Sequence, residues 1–501
     1  MNEPPPHVTL RPAEARDGSA LWKWRNEESV RVASFDPEPI ALADHERWFA
    51  ARLVDPSCAI FVVAVAGRDA GYVRFDGDGD EALVSVALAP EARGRGAGPA
   101  AIRAAVRALR VRRPGSRVVA LIRAGNPRSE AAFRRAGFVA AGLRAVGGVS
   151  AVELVSPGLR LERVLVAADG GPDVGLGHVT RSLALAVALD RTGVWTAVLA
   201  PTSGALRARA EDAGLEVVTS GEWPRWDEEG VARLLDLADT HRAEGLIIDS
   251  YRIAPAGFER LHRALLRVVA IDDLAAGPFP CHVVINGGAA AATMPYRSVH
   301  GDTRFLLGPE YALLRPEFWA RGERKVRERP ERVLLMTGGT DPGGVAGRLL
   351  AALDVLPDDF RIEVVVGPFA DAAVIEVAAR RCRRAVRLHR DPSPACLRDL
   401  LLQADAAVSA AGQTLYELAW AGCPAVAFAV ADNQVANLGA MARAGTVIPA
   451  TTLQDPDLSD RVAAELGRLL ADLDRRTAAS QAGQALVDGR GALRVAAEIV
   501  R

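Results

Sequence analysis

The sequence predicts an α/β protein: a compact mixed domain followed by a longer, two-lobed region of Rossmann-like βαβ units. Three observations carry that prediction. Beyond residue 163, short apolar runs such as Val164–Ala168, Leu246–Ile248, Val268–Ile271 and Val333–Met336 alternate with helix-like segments, the pattern of a parallel sheet. Strands run into turns of glycine and small polar residues at 93–98, 175–181, 338–341 and 412–414, and such turns let a backbone approach a ligand closely. Two breaks divide the chain, Ser156-Pro157-Gly158 and the charged run RGERKVRERP over 321–330. They place domains at 1–156, 163–320 and 321–501, a number that suits a chain of 501 residues.

Charge is balanced, with 61 Lys plus Arg against 62 Asp plus Glu, so neither nucleic acid nor an anionic membrane is an expected partner. Cys58, Cys281, Cys382, Cys396 and Cys423 are dispersed, with no C-x-x-C pair. Free thiols in a reducing cytoplasm are expected. The N-terminal MNEPPPHVTLRP lacks a basic-then-apolar pattern, and no apolar run reaches about 18 residues. A soluble, cytoplasmic protein is the expectation. Histidines and carboxylates do not recur at ligand spacing, so no metal is expected.

In the first domain, a strand from Val84 to Ala89 enters a glycine-rich turn, Arg93-Gly94-Arg95-Gly96-Ala97-Gly98, before a helix rich in Ala and Arg. Successive N–H groups at such a turn make a pocket for a pyrophosphate. Further on, Asn126 is followed by Ala131-Ala132-Phe133 and Gly137-Phe138. These two pieces resemble the GCN5-related N-acetyltransferases (GNAT) over residues 7–155. The resemblance implies acetyl-CoA as co-substrate, held by Leu88, Arg93, Gly94, Arg95, Gly96, Ala97, Gly98 and Asn126. Trp22-Lys23-Trp24-Arg25-Asn26, His45-Glu46-Arg47-Trp48-Phe49 and Val73-Arg74-Phe75-Asp76 look like those members that act on a nucleotide-linked amino sugar. Trp22 and Arg25 are the expected acceptor contacts, while Trp24, Trp48 and Phe49 are expected to fill the core. Two departures stand out. Phe133 occupies the place of the family's tyrosine acid, and Leu83 that of a glutamate. Glu81, on the same strand face as Leu83, is then the candidate base, acting through a water. A domain that only binds is the alternative.

The second region opens with a strand over Val164–Ala168, then Gly175-Leu176-Gly177-His178-Val179-Thr180-Arg181 and a helix through Ala186. A histidine near the positive end of a helix is biased toward the neutral imidazole, which suits a general base beside a phosphate leaving group. A helix-capping role is equally open. Strand ends supply Asp249-Ser250-Tyr251, Asp272-Asp273 and Asn286, and ligands of open α/β sheets sit beyond such ends. For each aspartate, a cap on the next helix is the competing role. Gly338-Gly339-Thr340 and Gly412-Gln413-Thr414 repeat the design. Glu417, about one turn into the helix after Gly412, stands within reach of a ribose whose diphosphate meets the helix end. Asp432-Asn433-Gln434 follow a strand from Ala425 to Val430.

In order, Asp169, the run Gly175–Leu183, Ile271-Asp272-Asp273, Gly308-Pro309-Glu310-Tyr311-Ala312-Leu313-Leu314-Arg315, Gly338–Pro342 and Glu417 resemble the UDP-2,4-diacetamido-2,4,6-trideoxy-β-L-altropyranose hydrolases of pseudaminic acid synthesis. These are relatives of the two-lobed GT-B glycosyltransferases. The resemblance implies His178 as the catalytic residue, with UDP held by Gly338, Gly339, Thr340, Gly412, Gln413, Thr414 and Glu417. It implies sugar contacts at Asp169, Tyr251, Asp272, Asp432, Asn433 and Gln434. Ala167 and Gly344 depart from the arginine and asparagine common there. The implied activity is bifunctional: acetylation of a UDP-4-amino-4,6-dideoxy sugar, then hydrolysis of the diacetamido product by water. A UDP-sugar glycosyltransferase with a regulatory first domain is the alternative. Oligomeric state is unknown.

Overall fold

A computed structural model describes residues 8–77, 81–94, 96–113, 116–156, 161–170, 176–221, 226–264, 266–301 and 303–500. The predicted acetyl-CoA ligand Arg95, and Gly175 of the histidine turn, lie outside the described residues. The chain divides into two compact units, Met1–Arg160 and Leu161–Val500.

The first unit contains β1 (Val8–Pro12), α1 (Gly18–Asn26), α2 (Glu28–Ala33), α3 (Leu42–Leu53), β2 (Cys58–Val65), β3 (Arg68–Asp76), β4 (Glu81–Leu88), α4 (Ala97–Arg112), β5 (Arg117–Arg123), α5 (Pro127–Arg135), β6 (Val139–Val146) and β7 (Val149–Val155). One sheet runs in the order β1-β2-β3-β4-β5-β7-β6. Every neighbouring pair in it is antiparallel except β4 and β5. These two pair only from Glu81–Arg117 to Leu83–Val119, so the later part of β4 parts from β5. The alternation of β2 explains the two-sided core. Ile60 and Val62 pack with Leu21 and Phe49 beneath α1 and α3, whereas Phe61 faces the other way, under the Arg112 guanidinium of α4. Trp24 and Trp48 pack against the first cluster, as expected of core residues.

The second unit starts with β8 (Arg163–Ala168), α6 (Gly177–Asp190), β9 (Trp195–Ala200), α7 (Ala205–Asp212), β10 (Glu216–Thr219), α8 (Glu228–Thr240), β11 (Gly245–Asp249), α9 (Pro255–Arg263), β12 (Arg267–Ile271), β13 (Pro278–Phe279), β14 (Val283–Asn286), β15 (Arg297–Ser298) and β16 (Arg304–Leu307). It continues with β17 (Arg332–Met336), α10 (Val345–Asp354), β18 (Arg361–Val366), α11 (Ala372–Arg381), β19 (Val386–Arg390), α12 (Pro394–Gln403), β20 (Ala406–Ala410), α13 (Thr414–Ala421), β21 (Ala425–Ala429), α14 (Asp432–Arg443), β22 (Val447–Thr452), α15 (Leu458–Ala471), α16 (Leu473–Leu486) and α17 (Gly491–Val500).

Two large parallel sheets result, ordered β10-β9-β8-β11-β12-β14-β16 and β19-β18-β17-β20-β21-β22, and β13 pairs with β15 in a small one. Fully buried runs such as Gly245–Asp249 and Ala406–Ala410 account for strands that read as continuous apolar segments. In each sheet the first strand lies beside the fourth, with the second and third on its other side. That arrangement has a topological switch point at β8/β11 and another at β17/β20, where adjacent crossovers leave in opposite directions and a crevice opens.

The sequence places residues 321–501 in one C-terminal lobe, but α17 departs from it. Ala492, Val495, Ala496 and Ile499 are buried in the core of the first sheet with Leu185 and Leu189 of α6. The strong apolar face of α17 is covered there, so the chain crosses between lobes twice. At the return crossing Gly489 adopts φ +82°, and a Cβ there would stand 1.9 Å from the Phe318 carbonyl oxygen. Gly489→Ala should lower the unfolding free energy by about 1–3 kcal/mol, read as an earlier denaturant midpoint. A midpoint equal to the wild type's would contradict that close approach.

Candidate functional site

A cavity of about 710 Å³ lies between the two sheets of the second unit, and both switch points open into it. His178, in the first turn of α6, comes from the β8 side. Its Nδ1 stands 2.5 Å from Oδ1 of Asp249, the last residue of β11. The pairing of β8 with β11 brings together two residues that are far apart in sequence.

Asp249 is fully buried and accepts four hydrogen bonds. Besides His178 these come from Nε and Nη2 of Arg181, both at 2.7 Å, and from the Ser182 hydroxyl at 2.9 Å. Burial by itself raises a carboxyl, but the charge of Arg181 and its hydrogen bonds, with His178, outweigh it and hold Asp249 down at about 2. An ionised carboxylate only accepts, so the proton between the two groups is on Nδ1. That leaves Nε2 as the ring nitrogen not engaged by Asp249. Asp249 is therefore a partner for the histidine, not a cap for the next helix.

Around this pair, Arg181 also donates to Asp273 at 3.0 Å. The Tyr251 hydroxyl donates to Asp273 as well, and the Tyr251 ring meets His178 edge-on with centroids 4.6 Å apart. Burial and the Asp273 carboxylate raise the Tyr251 phenol, so it remains a hydroxyl donor. Ile271, Ile285 and Met294 form an apolar wall beside the group.

The opposite lobe contributes Gly338, Gly339 and Thr340 after β17, and Gly412, Gln413 and Thr414 after β20. Gly338 has φ +90°, a conformation glycine adopts without steric cost. The Gln413 amide donates to the Leu313 carbonyl at 3.1 Å. Glu417 is buried and its Oε1 accepts from Arg315 at 2.6 Å. Asn433 and Gln434, in the first turn of α14, also line the cavity. Asn437 and Tyr416 join them, and Ala289 N–H of the first lobe reaches both at 2.8 Å.

Three predicted sugar ligands are corrected. Asp169 is buried and does not line the cavity. It accepts from Trp226 at 2.8 Å, Ser250 at 2.5 Å and Arg252 at 2.5 Å, fastening the loop after β11. Asp272 caps a turn through the N–H groups of Leu274 and Ala275 and binds the Tyr296 hydroxyl. Its neighbour Asp273 faces the cavity instead. Asp432 is exposed and stands outside the lining.

The first unit corrects more. Glu81 begins β4, at the end where β4 still pairs with β5, a strand's length from the glycine turn. Both its oxygens are held, by Arg144 at 3.0 Å and Arg117 at 2.7 Å. The Arg144 hydrogen bond and the two positive charges lower its carboxyl, opposite to what a base requires. Arg93 does not offer its guanidinium to a ligand: it binds the Leu88 carbonyl at 2.6 Å and Glu27 at 2.7 Å. Asn126 caps α5 through the Ser129 N–H at 3.1 Å. The Trp22 indole donates to the Ile40 carbonyl at 2.7 Å and Arg25 to the Asp36 carbonyl at 3.1 Å, so both fasten the segment before α3. Among the described residues of this turn, what remains for an anion is backbone: Gly94 and Gly96 in left-handed conformations at φ +81° and +85°, with Gly96, Ala97 and Gly98 opening the 16-residue α4.

Residues 7–139 match the acetyltransferase (GNAT) domain family. The spore coat polysaccharide biosynthesis protein SpsG of Bacillus subtilis is 25% identical over 342 residues, covering 66% of this chain and 96% of that protein. The UDP-2,4-diacetamido-2,4,6-trideoxy-β-L-altropyranose hydrolase of Campylobacter jejuni is 28% identical over 184 residues, 36% of this chain and 61% of that protein. The crystal structure of Acinetobacter baumannii MurG is similar with a TM-score of 0.49 and 17% identity, over 67% of this chain and 98% of that one. The chain joins a GNAT domain to a region homologous to SpsG and to the hydrolase.

Proposed function

We propose that the second unit hydrolyses a UDP-linked, N-acylated deoxyamino sugar, and that the first unit uses acetyl-CoA to acylate its amine. The single observation that carries the hydrolase reading is the His178 Nδ1 held 2.5 Å from the fully buried Asp249 carboxylate. Nε2 then accepts a proton from water as the water oxygen bonds to the anomeric carbon. The bond from that carbon to the diphosphate oxygen breaks, and UDP leaves with the electron pair. Asp249 stabilises the imidazolium formed, and small-residue turns after β17 and β20 receive the growing phosphate charge. The homology to a UDP-sugar hydrolase supports the reaction class.

In this reading Glu417, with Asn433 and Gln434 nearby in the lining, holds the nucleoside, its carboxylate accepting from ribose hydroxyls. Glu417→Gln keeps the volume and should weaken UDP binding about tenfold, as expected for a hydrogen bond to a charged group, with a rise in KM and little change in kcat. Equal UDP affinity in calorimetry would remove the ribose contact.

For the first unit, the opening between β4 and β5 and the α4 turn provide the acetyl-CoA site in this proposal. Catalysis is by placement of a neutral amine in line with the thioester, without Glu81. Glu81→Gln should therefore leave acetyl-CoA turnover with the UDP-amino sugar within about threefold of wild type, whereas a general base contributes about two to four decades. A loss of that larger size would restore Glu81 as the base.

A further inference from the structure

The cavity of the second unit is lined by three cationic side chains among the described residues, Arg181, Arg209 and Arg315. Each is already paired. Arg181 is 14% exposed and grips the fully buried Asp249. Arg315 is 15% exposed and grips Glu417, itself 5% exposed. Breaking either pair strands a buried carboxylate, which is strongly unfavourable. Arg209 differs. It lies on α7 of the first lobe, and its Nη2 meets Asp391, in the turn between β19 and α12 of the second lobe, at 2.8 Å with the two side chains 26% and 52% exposed. A solvent-screened pair of this kind contributes little, so a better anion replaces it at little cost.

We propose that Arg209 is the exchangeable cation of the cleft: it leaves Asp391 when a nucleoside diphosphate enters and pairs with the diphosphate instead. The planar guanidinium can present two parallel N–H donors to phosphate oxygens, a stronger contact than a single exposed carboxylate bond. The Asp391 backbone, at φ +37°, is tied to the second lobe, its N–H donating to the Val366 carbonyl at 2.9 Å. Because the pair spans the two lobes, ligand entry also undoes a tie across the mouth of the cleft.

This inference rests on the nucleotide reading of the cavity, and the test separates the two. Binding of UDP and of uridine is measured by calorimetry at low salt for wild type, Arg209→Ala and Asp391→Asn. Asparagine tolerates the left-handed conformation, so the second variant keeps the turn. Wild type should bind both ligands. Arg209→Ala should weaken UDP about tenfold and leave uridine unchanged, while Asp391→Asn should tighten UDP two- to fivefold. UDP affinity unchanged in Arg209→Ala, or affinities for both ligands lowered alike, would overturn the exchange and leave the nucleotide site standing. Unchanged or weaker UDP binding in Asp391→Asn would equally overturn it. Failure of wild type to bind UDP would remove the nucleotide reading, and the exchange with it.

Discussion

Replacing His178 by alanine should lower release of UDP from a UDP-diacetamido sugar by about two to four decades, the usual worth of a positioned general base. The side chain sits in the first turn of α6 with its Nδ1 held by Asp249, so its removal takes away the one ring nitrogen left to receive a proton. KM should change little, because the nucleoside contacts proposed for this cleft lie on the other lobe. Asp249 and Arg181 still bind each other through two hydrogen bonds, so folding should be preserved. A variant that folds with the wild-type melting temperature and retains its rate would remove His178 from the chemistry.

Asp249→Asn should lower the same rate by a comparable two to four decades, by a different route. An amide can donate to Nδ1, which places the ring proton on Nε2 and leaves no base facing the water. It also withdraws the charge that stabilises the imidazolium. The two losses act on one unit, so the double variant should be no slower than the worse single one; multiplied losses would show that the groups act independently. The Asp249 carboxyl is held below its ordinary value, and the stability it contributes is complete above about pH 3.9. That contribution disappears as the pH falls toward about 2, and the asparagine variant should lack this part of the acid-unfolding profile.

The strands and ligand-facing turns of the second unit were legible because each is local: an apolar run followed by glycine. His178 and the turns at 338–340 and 412–414 all reach the cavity for that reason. The partner of His178 was not legible, because it depends on β11 lying beside β8, and strand order is a property of the whole sheet. Asp169 and Asp272 show the same limit from the other side. A carboxylate after a strand has the same local pattern whether it faces a cavity or fastens a loop, and these two fasten loops. Arg181 and Asp273 were present in the quoted motifs, yet only their mutual contact at 3.0 Å identifies them as one group with the histidine pair.

Glu81 could have been doubted from the sequence, since it precedes the glycine turn by a whole strand. The arginines that neutralise it, Arg117 and Arg144, come from two other strands. Arg93, Asn126, Trp22 and Arg25 fit ligand roles by type, and each meets a backbone group of its own unit, three and five residues away for Asn126 and Arg93, 18 and 11 for Trp22 and Arg25. Short-range carbonyls and N–H groups are always available competitors for such side chains. The crossing of α17 was hidden for a related reason: an amphipathic helix declares an apolar face but not the sheet that covers it.

Water that attacks the anomeric carbon of a UDP-linked sugar, in the cleft holding His178 and Asp249, leaves its oxygen on the sugar and not on UDP. The test is incubation of the 501-residue chain with a UDP-2,4-diacetamido-2,4,6-trideoxy sugar in oxygen-18 water, with no acceptor present, followed by mass spectrometry of the UDP. UDP free of the label should be released, since the bond broken is between carbon and oxygen, together with free sugar. Labelled UDP would place the attack at phosphorus, and no UDP until an acceptor alcohol is added would make the second unit a glycosyltransferase; either result would rule out hydrolysis at the anomeric carbon.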